Sequence, residues 1–174
     1  MRYLLITSIP FGRQNGSLVI DGLWAEDLKA LAVAAGHVTV AAPEFKAEEL
    51  KSWGPALATL TAQDQISFVS LPKYTSRFNL SNFMRSRRIL HDAVLDADVV
   101  HSSNLFWPYT FLYYGHDVAI RLKRKTVFVV AEDFYDMQVW GWLRSESNLV
   151  KRWRARRTIL QQDRQVYQQY TKAH

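Results

Sequence analysis

Three carboxylates, Glu132, Asp133 and Asp136, follow directly on the apolar run TVFVVA at 126–131. Ionised side chains have no place in a core, so they sit in solvent or in a site. In a site they orient polar substrates or stabilise positive charge that develops in a transition state. Glu132 and Asp133, next to the run, are the site candidates, whereas Asp136 better suits the cap of a following turn. In open α/β sheets ligands lie beyond the carboxyl ends of the strands, so the residues after the other apolar runs are read in the same way. After YLLITS (3–8) comes SIPFGRQNGSLVIDG, expected as a long loop. Its Gly12, Gly16 and Gly22 would let backbone amides approach an anion, beside the positive end of a helix starting near Asp21. ADVVHS (97–102) brings His101 at its end, either a ligand contact or a satisfied core or rim histidine. In LFWPYTFLYY (105–114) core packing accounts for most of the aromatics, and only Trp107 and Tyr109 stand close enough to the strand to stack on a ligand.

Other chemistries are excluded by composition. The chain has no cysteine, which removes disulfides, thiolate metal sites and cysteine nucleophiles and is compatible with a reducing cytoplasm. It has neither a GxGxxG nor a GxxxxGK loop, and no HExxH or HxxxH pair, so no dedicated metal site and no bound cofactor are expected.

The elements that must position these residues are legible as alternation. Apolar runs at 3–8, 37–42, 66–71, 97–102 and 126–131 alternate with helical patterns, which predicts a Rossmann-like three-layer α/β domain with a mainly parallel sheet. MRYLLITSIPFG is expected as the first strand and not as a signal peptide. The fifth strand is expected to be buried on both faces. DGLWAEDLKALAVAA predicts the first helix, with Leu23, Leu28, Leu31 and Ala35 at helical intervals and Gly36 as its stop. Further helices are predicted over 80–95, 108–124 and about 147–170, while Gly54-Pro55 leaves 46–62 ambiguous. The sequence finishes at YTKAH as the last helix ends, so residues 1–174 are expected to form one domain cut before its closing strand.

In this order, MRYLLITSIPFG with the following NG, DLKALAVAAGHVTVAAP, ADVVHSSNLFWP and KRKTVFVVAEDFYD resemble the N-terminal domain of family 4 retaining glycosyltransferases of the GT-B fold. Gly36, His37 and Pro43 match the pattern of helix end, Gly-His, strand and proline, and Asp98, Val99, Val100 and His101 match the Asp-Val-Val-His strand. The resemblance implies the acceptor-side half of a two-domain enzyme that moves a sugar from a nucleotide-sugar donor to a glycan or lipid-linked acceptor hydroxyl, as in polysaccharide biosynthesis. It assigns Asn15 and Gly16 to the donor diphosphate, where the family has Gly-Gly, and Glu132 or Asp133 to the position after the fifth strand, where the family has histidine. On the acceptor side stand His101, Trp107 and Tyr109. A chain without the second wall that positions the donor is expected to be inactive alone. The competing reading is a free-standing Rossmann-like module that binds a ligand or partner without catalysis.

The net charge of +6 is regional. Residues 73–88 hold Lys73, Arg77, Arg85, Arg87 and Arg88 with no acid, and residues 144–157 hold six cations, Arg152, Arg154 and Arg156 among them, against Glu146 alone. No nucleic-acid motif accompanies them, so nucleic acid is not an expected partner. Basic residues beside Phe83, Met84 and Trp153 predict contact with an anionic membrane surface, placing a cytoplasmic enzyme at the inner face of the membrane; the alternative is a solvated helix face with Phe83 and Trp153 turned inward.

Overall fold

The computed structural model describes residues 1–50, 56–73, 80–103, 111–129, 148–151, 153 and 157. In chain order these form β1 (Tyr3–Ile6), β2 (Phe11–Gln14), β3 (Ser17–Asp21), α1 (Gly22–Ala35), β4 (Val38–Lys46), α2 (Ala47–Leu50), β5 (Leu57–Leu60), β6 (Ile66–Leu71), α3 (Leu80–Leu95), β7 (Val99–Ser103), α4 (Phe111–Arg121) and β8 (Lys125–Val129). The protein is a mixed α/β unit with a mostly parallel, Rossmann-like sheet.

Five strands make the parallel core, in the order β6-β4-β1-β7-β8. The chain builds outward from β1 through β4 to β6, then crosses back to add β7 and β8 on the other side. Alternation along the strands sorts the side chains onto two faces. Leu4, Ile6, Ala41, Leu71 and Val100 meet Leu90 and Val94 of α3 and Val118 and Ala119 of α4. Leu5, Val38, Val40 and Ala42 meet Ala25, Leu28 and Ala32 of α1. Fully burying one such leucine or isoleucine contributes roughly 1.5–3 kcal/mol, so these faces hold the strand ends in register.

The first helix keeps its expected ends, with Asp21 accepting from the Leu23 and Trp24 amides and Gly36 donating to Ala32 O. Its burial differs from the expectation: Ala25, Leu28 and Ala32 face the sheet, and Leu23 points outward. The helix over 80–95 has the expected bounds.

Three expectations are corrected. The stretch after β1 is not a long loop; β2 and β3 form an antiparallel hairpin whose turn is Asn15-Gly16. Positive φ at both turn residues, 51° and 80°, is the backbone of a two-residue hairpin turn. β4 does not stop at Ala42 but runs to Lys46. Proline is tolerated within it because Pro43 lies between Ala41, the last partner of β1, and Glu44, the first partner of β2. Finally, β8 is not buried on both faces: Lys125, Val127 and Val129 are exposed, while Thr126 and Phe128 are partly covered. Phe128 stacks on His116 of α4, and among the described residues α1 packs over β3, β4, β5 and β6.

Candidate functional site

The sheet order reverses between β1 and β7, and the crevice outside the carboxyl ends of those two strands is where such a sheet receives a ligand. Three buried small hydroxyls stand at or near these strand ends. Thr7 and Ser8 follow β1 and are buried, as is Ser102 in β7. The Thr7 amide donates to Ala41 O at 3.0 Å, and Thr7 Oγ1 accepts from the Ile9 amide at 3.2 Å, which turns the chain out of the sheet. Ser102 Oγ has no hydrogen-bond partner among the described residues, an unusual condition for a buried hydroxyl and one that a ligand or water relieves. On one side α4 closes down on β1 through Gly115, where an added Cβ would overlap Ile6 Cδ1.

β2 pairs in parallel with Glu44, Phe45 and Lys46 of β4, past Ala41, the last β4 residue paired with β1, so the hairpin and its Asn15-Gly16 turn extend beyond the carboxyl end of β1. Arg13 Nε bonds Glu44 Oε1 at 3.2 Å and ties the hairpin to β4. Asn15 and Gly16 are exposed. The helix end offered to an anion is already occupied, because the Asp21 carboxylate accepts the Leu23 and Trp24 amides at 3.1 and 3.2 Å. An anion at this edge would therefore meet the hairpin and not the first turn of α1.

His101 is not at a strand end. It is the third residue of β7, opposite Leu5 of β1, and its Nδ1 lies 2.9 Å from the Tyr3 hydroxyl. Burial pushes the His101 pKa below its usual value and the Tyr3 pKa above its own, so both groups are neutral at pH 7. Asp98, in the Asp-Val-Val-His run, serves the opposite edge: it accepts from the Arg2 amide at 2.8 Å and the Arg2 guanidinium at 3.0 Å, pinning the starts of β1 and β7. His37 Nε2 is 3.1 Å from Ser67 Oγ, a link between the starts of β4 and β6. A cavity bounded by Arg2, Tyr3, Thr39, Ala93 and Asp96 also lies at this amino edge.

Glu132, Asp133, Asp136, Trp107, Tyr109, Arg152, Arg154 and Arg156 lie outside the described residues. Among the basic candidates that are described, Arg85 and Arg88 are exposed. Arg87 is partly buried, with its guanidinium over the rings of Tyr114 (4.6 Å) and Phe83 (5.7 Å). Thr7, Ser8, Ser102 and the Tyr3–His101 contact were not singled out from the sequence, although the Ser-Ser pair that ends ADVVHSS was a signal in plain view. No described helix is long and apolar enough to cross a membrane.

No family model and no curated protein matches the sequence. Among solved structures, the chain is similar to the C-terminal domain of a hydrogenase from Pyrococcus furiosus, with 15% identity, a TM-score of 0.39, and coverage of 74% of this chain and 91% of that one. It is also similar to a UGT transferase from Siraitia grosvenorii in complex with UDP, again with 15% identity and a TM-score of 0.39, covering 84% of this chain and 35% of that transferase.

Proposed function

We propose that this chain is the acceptor-side half of a GT-B-type retaining glycosyltransferase, one that moves a sugar from a nucleotide-sugar to a glycan or lipid-linked acceptor hydroxyl. The observation that carries the reading is the parallel β6-β4-β1-β7-β8 sheet with Thr7, Ser8 and Ser102 near its switch point between β1 and β7 and a hairpin that extends past the end of β1. That edge has the properties an acceptor saccharide needs. Thr7, Ser8 and Ser102 supply hydroxyls that both donate and accept. Asn15 and Gly16 carry exposed backbone at the rim, where a diphosphate held by a second domain would approach. Glu132 and Asp133 follow β8 in sequence; either carboxylate would orient sugar hydroxyls and stabilise positive character at the anomeric carbon as its bond to the diphosphate oxygen breaks. The acceptor oxygen forms the new bond and its proton leaves with the nucleoside diphosphate.

The test is transfer itself. The product of the complete reading frame, given nucleotide-sugars and glycan acceptors, should release nucleoside diphosphate only when acceptor is present. Glu132→Gln or Asp133→Asn should lower turnover by about 10²-fold or more, the cost of losing one preorganised electrostatic group, with thermal unfolding unchanged. A product that binds saccharide or nucleotide but never releases nucleoside diphosphate would instead be a non-catalytic binding module.

A further inference from the structure

Where the pairing of β2 with β4 ends, two cations stand side by side. Arg13 of β2 is the register partner of Lys46 of β4, so the two side chains leave the same face of the sheet, from strands about 4.8 Å apart. Like charges directly opposite each other weaken a sheet. Here nothing cancels the pair: Lys46 is exposed and makes no ion pair among the described residues. Arg13 is bonded to Glu44 Oε1 through Nε, at 3.2 Å, and its side chain is 55% exposed. That bond orients the guanidinium, and its two terminal nitrogens have no hydrogen-bond partner among the described residues. Glu49 is engaged elsewhere, accepting from the Lys46 amide at 3.2 Å and from Lys73 Nζ at 2.5 Å. Glu48 is exposed and pairs with neither cation.

We infer that Arg13 and Lys46 form a site for a phosphate monoester, and that the acceptor saccharide carries this phosphate. One bound dianion between the two cations turns their repulsion into attraction. A carboxylate has two oxygens, which the fork of one arginine fills; a phosphate monoester has a third left over for the ammonium of Lys46. The row of side chains beside the pair suits a sugar phosphate. Leu18, the neighbour of Arg13 on β3, is half-buried and offers an apolar edge against which the ring of the sugar can lie. Phe11 and Ile20, one step back along the same face, are buried in the core, so the cations stand where that core ends. In the proposed enzyme the donor diphosphate is held by a second domain, whereas both cations belong to this half, and the phosphate they hold is therefore the acceptor's. The assignment to the acceptor rests on the transferase reading; the binding of phosphate by the pair does not.

The test is titration of the isotopically labelled 174-residue chain with inorganic phosphate, glucose 6-phosphate, glucose and UDP, followed by amide shifts and calorimetry. Phosphate and glucose 6-phosphate should move the amides of Arg13 and Lys46, glucose 6-phosphate should bind the more tightly of the two, and added salt should weaken both. Glucose alone should leave those two amides in place. Lys46→Thr and Arg13→Gln should each weaken glucose 6-phosphate at least about tenfold, the loss of one charge-assisted hydrogen bond, and Lys46→Arg should restore most of the binding. Lys125→Gln, an exposed cation at the start of β8, should change nothing. A purely structural lysine would stabilise the fold. Here Lys46→Thr, which removes a like charge, should melt no lower than the native chain without ligand, and glucose 6-phosphate should raise the melting temperature of the native chain only. No shift with either phosphate, equal affinity in the Lys46→Thr variant, or a lower melting temperature of that variant without ligand would overturn the site. Tighter binding of UDP than of glucose 6-phosphate by the same two residues would overturn its assignment to the acceptor. Release of nucleoside diphosphate by the complete product is a separate measurement, so failure of the transferase reading and failure of the phosphate site are told apart.

Discussion

At Gly16 the backbone is left-handed, and any residue with a Cβ there loses roughly 1–2 kcal/mol. Gly16→Val should therefore lower stability to urea by about that amount and loosen the hairpin. An unchanged midpoint would mean that the turn is not held in this conformation. His101 gives a pH signature. Its folded pKa lies below the unfolded value because burial opposes the imidazolium. The unfolded chain therefore binds more protons in the window below about pH 6.5, and stability falls as pH drops through that window. Replacing the ring removes this term, so His101→Gln should flatten the slope of unfolding free energy against pH between neutrality and mild acid. Identical slopes for both proteins would contradict the buried neutral imidazole. Asp98 shifts in the same direction at a lower pH: the Arg2 hydrogen bond holds its carboxyl below the usual range, and the tie is lost as acid protonates it.

Among the elements, α4 depends on one close approach. An Ala at 115 would strike Ile6 Cδ1, and overpacking of this kind costs roughly 1–3 kcal/mol. Ile6→Val removes that atom, so Gly115→Ala should destabilise the native background far more than the Ile6→Val background. A double-mutant cycle by chemical denaturation should show coupling of at least about 0.5 kcal/mol, and additivity would rule out the contact. The elements also show what was legible beforehand. α1 announces itself through periodicity and caps, α3 through periodicity, and the five parallel strands through β-branched runs between helices. The hairpin was missed because β2, FGRQ, contributes only Phe11 to the apolar pattern, so Asn15-Gly16 looked like part of a flexible glycine loop. The length of β4 was missed because Pro43 looks like a stop until the ladder is known to change partners there. The exposure of Val127 and Val129 depends on which elements pack over β8, which no local pattern encodes. The site residues divide in the same way. Acidic residues at a strand end are conspicuous by contrast with the run before them. Small hydroxyls such as Thr7, Ser8 and Ser102 carry no such contrast, and the Tyr3–His101 contact exists only through the pairing of β1 with β7.

At the scale of the whole molecule, the two edges of the sheet have different work. The amino edge carries structural polar ties, Arg2 with Asp98 and His37 with Ser67, beside a small cavity bounded by Arg2, Tyr3 and Asp96. Towards the carboxyl edge lie buried hydroxyls, one of them without a partner among the described residues, and a hairpin that extends past the end of β1. The most direct test of the central claim is amide chemical-shift mapping of the isotopically labelled 174-residue chain, titrated with oligosaccharide acceptors and nucleotide-sugars while nucleoside diphosphate release is followed. Saccharide-induced shifts are expected at Thr7, Ser8, Ser102 and the Asn15-Gly16 turn, with unchanged amides at Arg2, Asp96 and Ala97 and no nucleoside diphosphate released by this chain alone. Shifts confined to the amino edge, or no response to any saccharide, would contradict the acceptor-side reading.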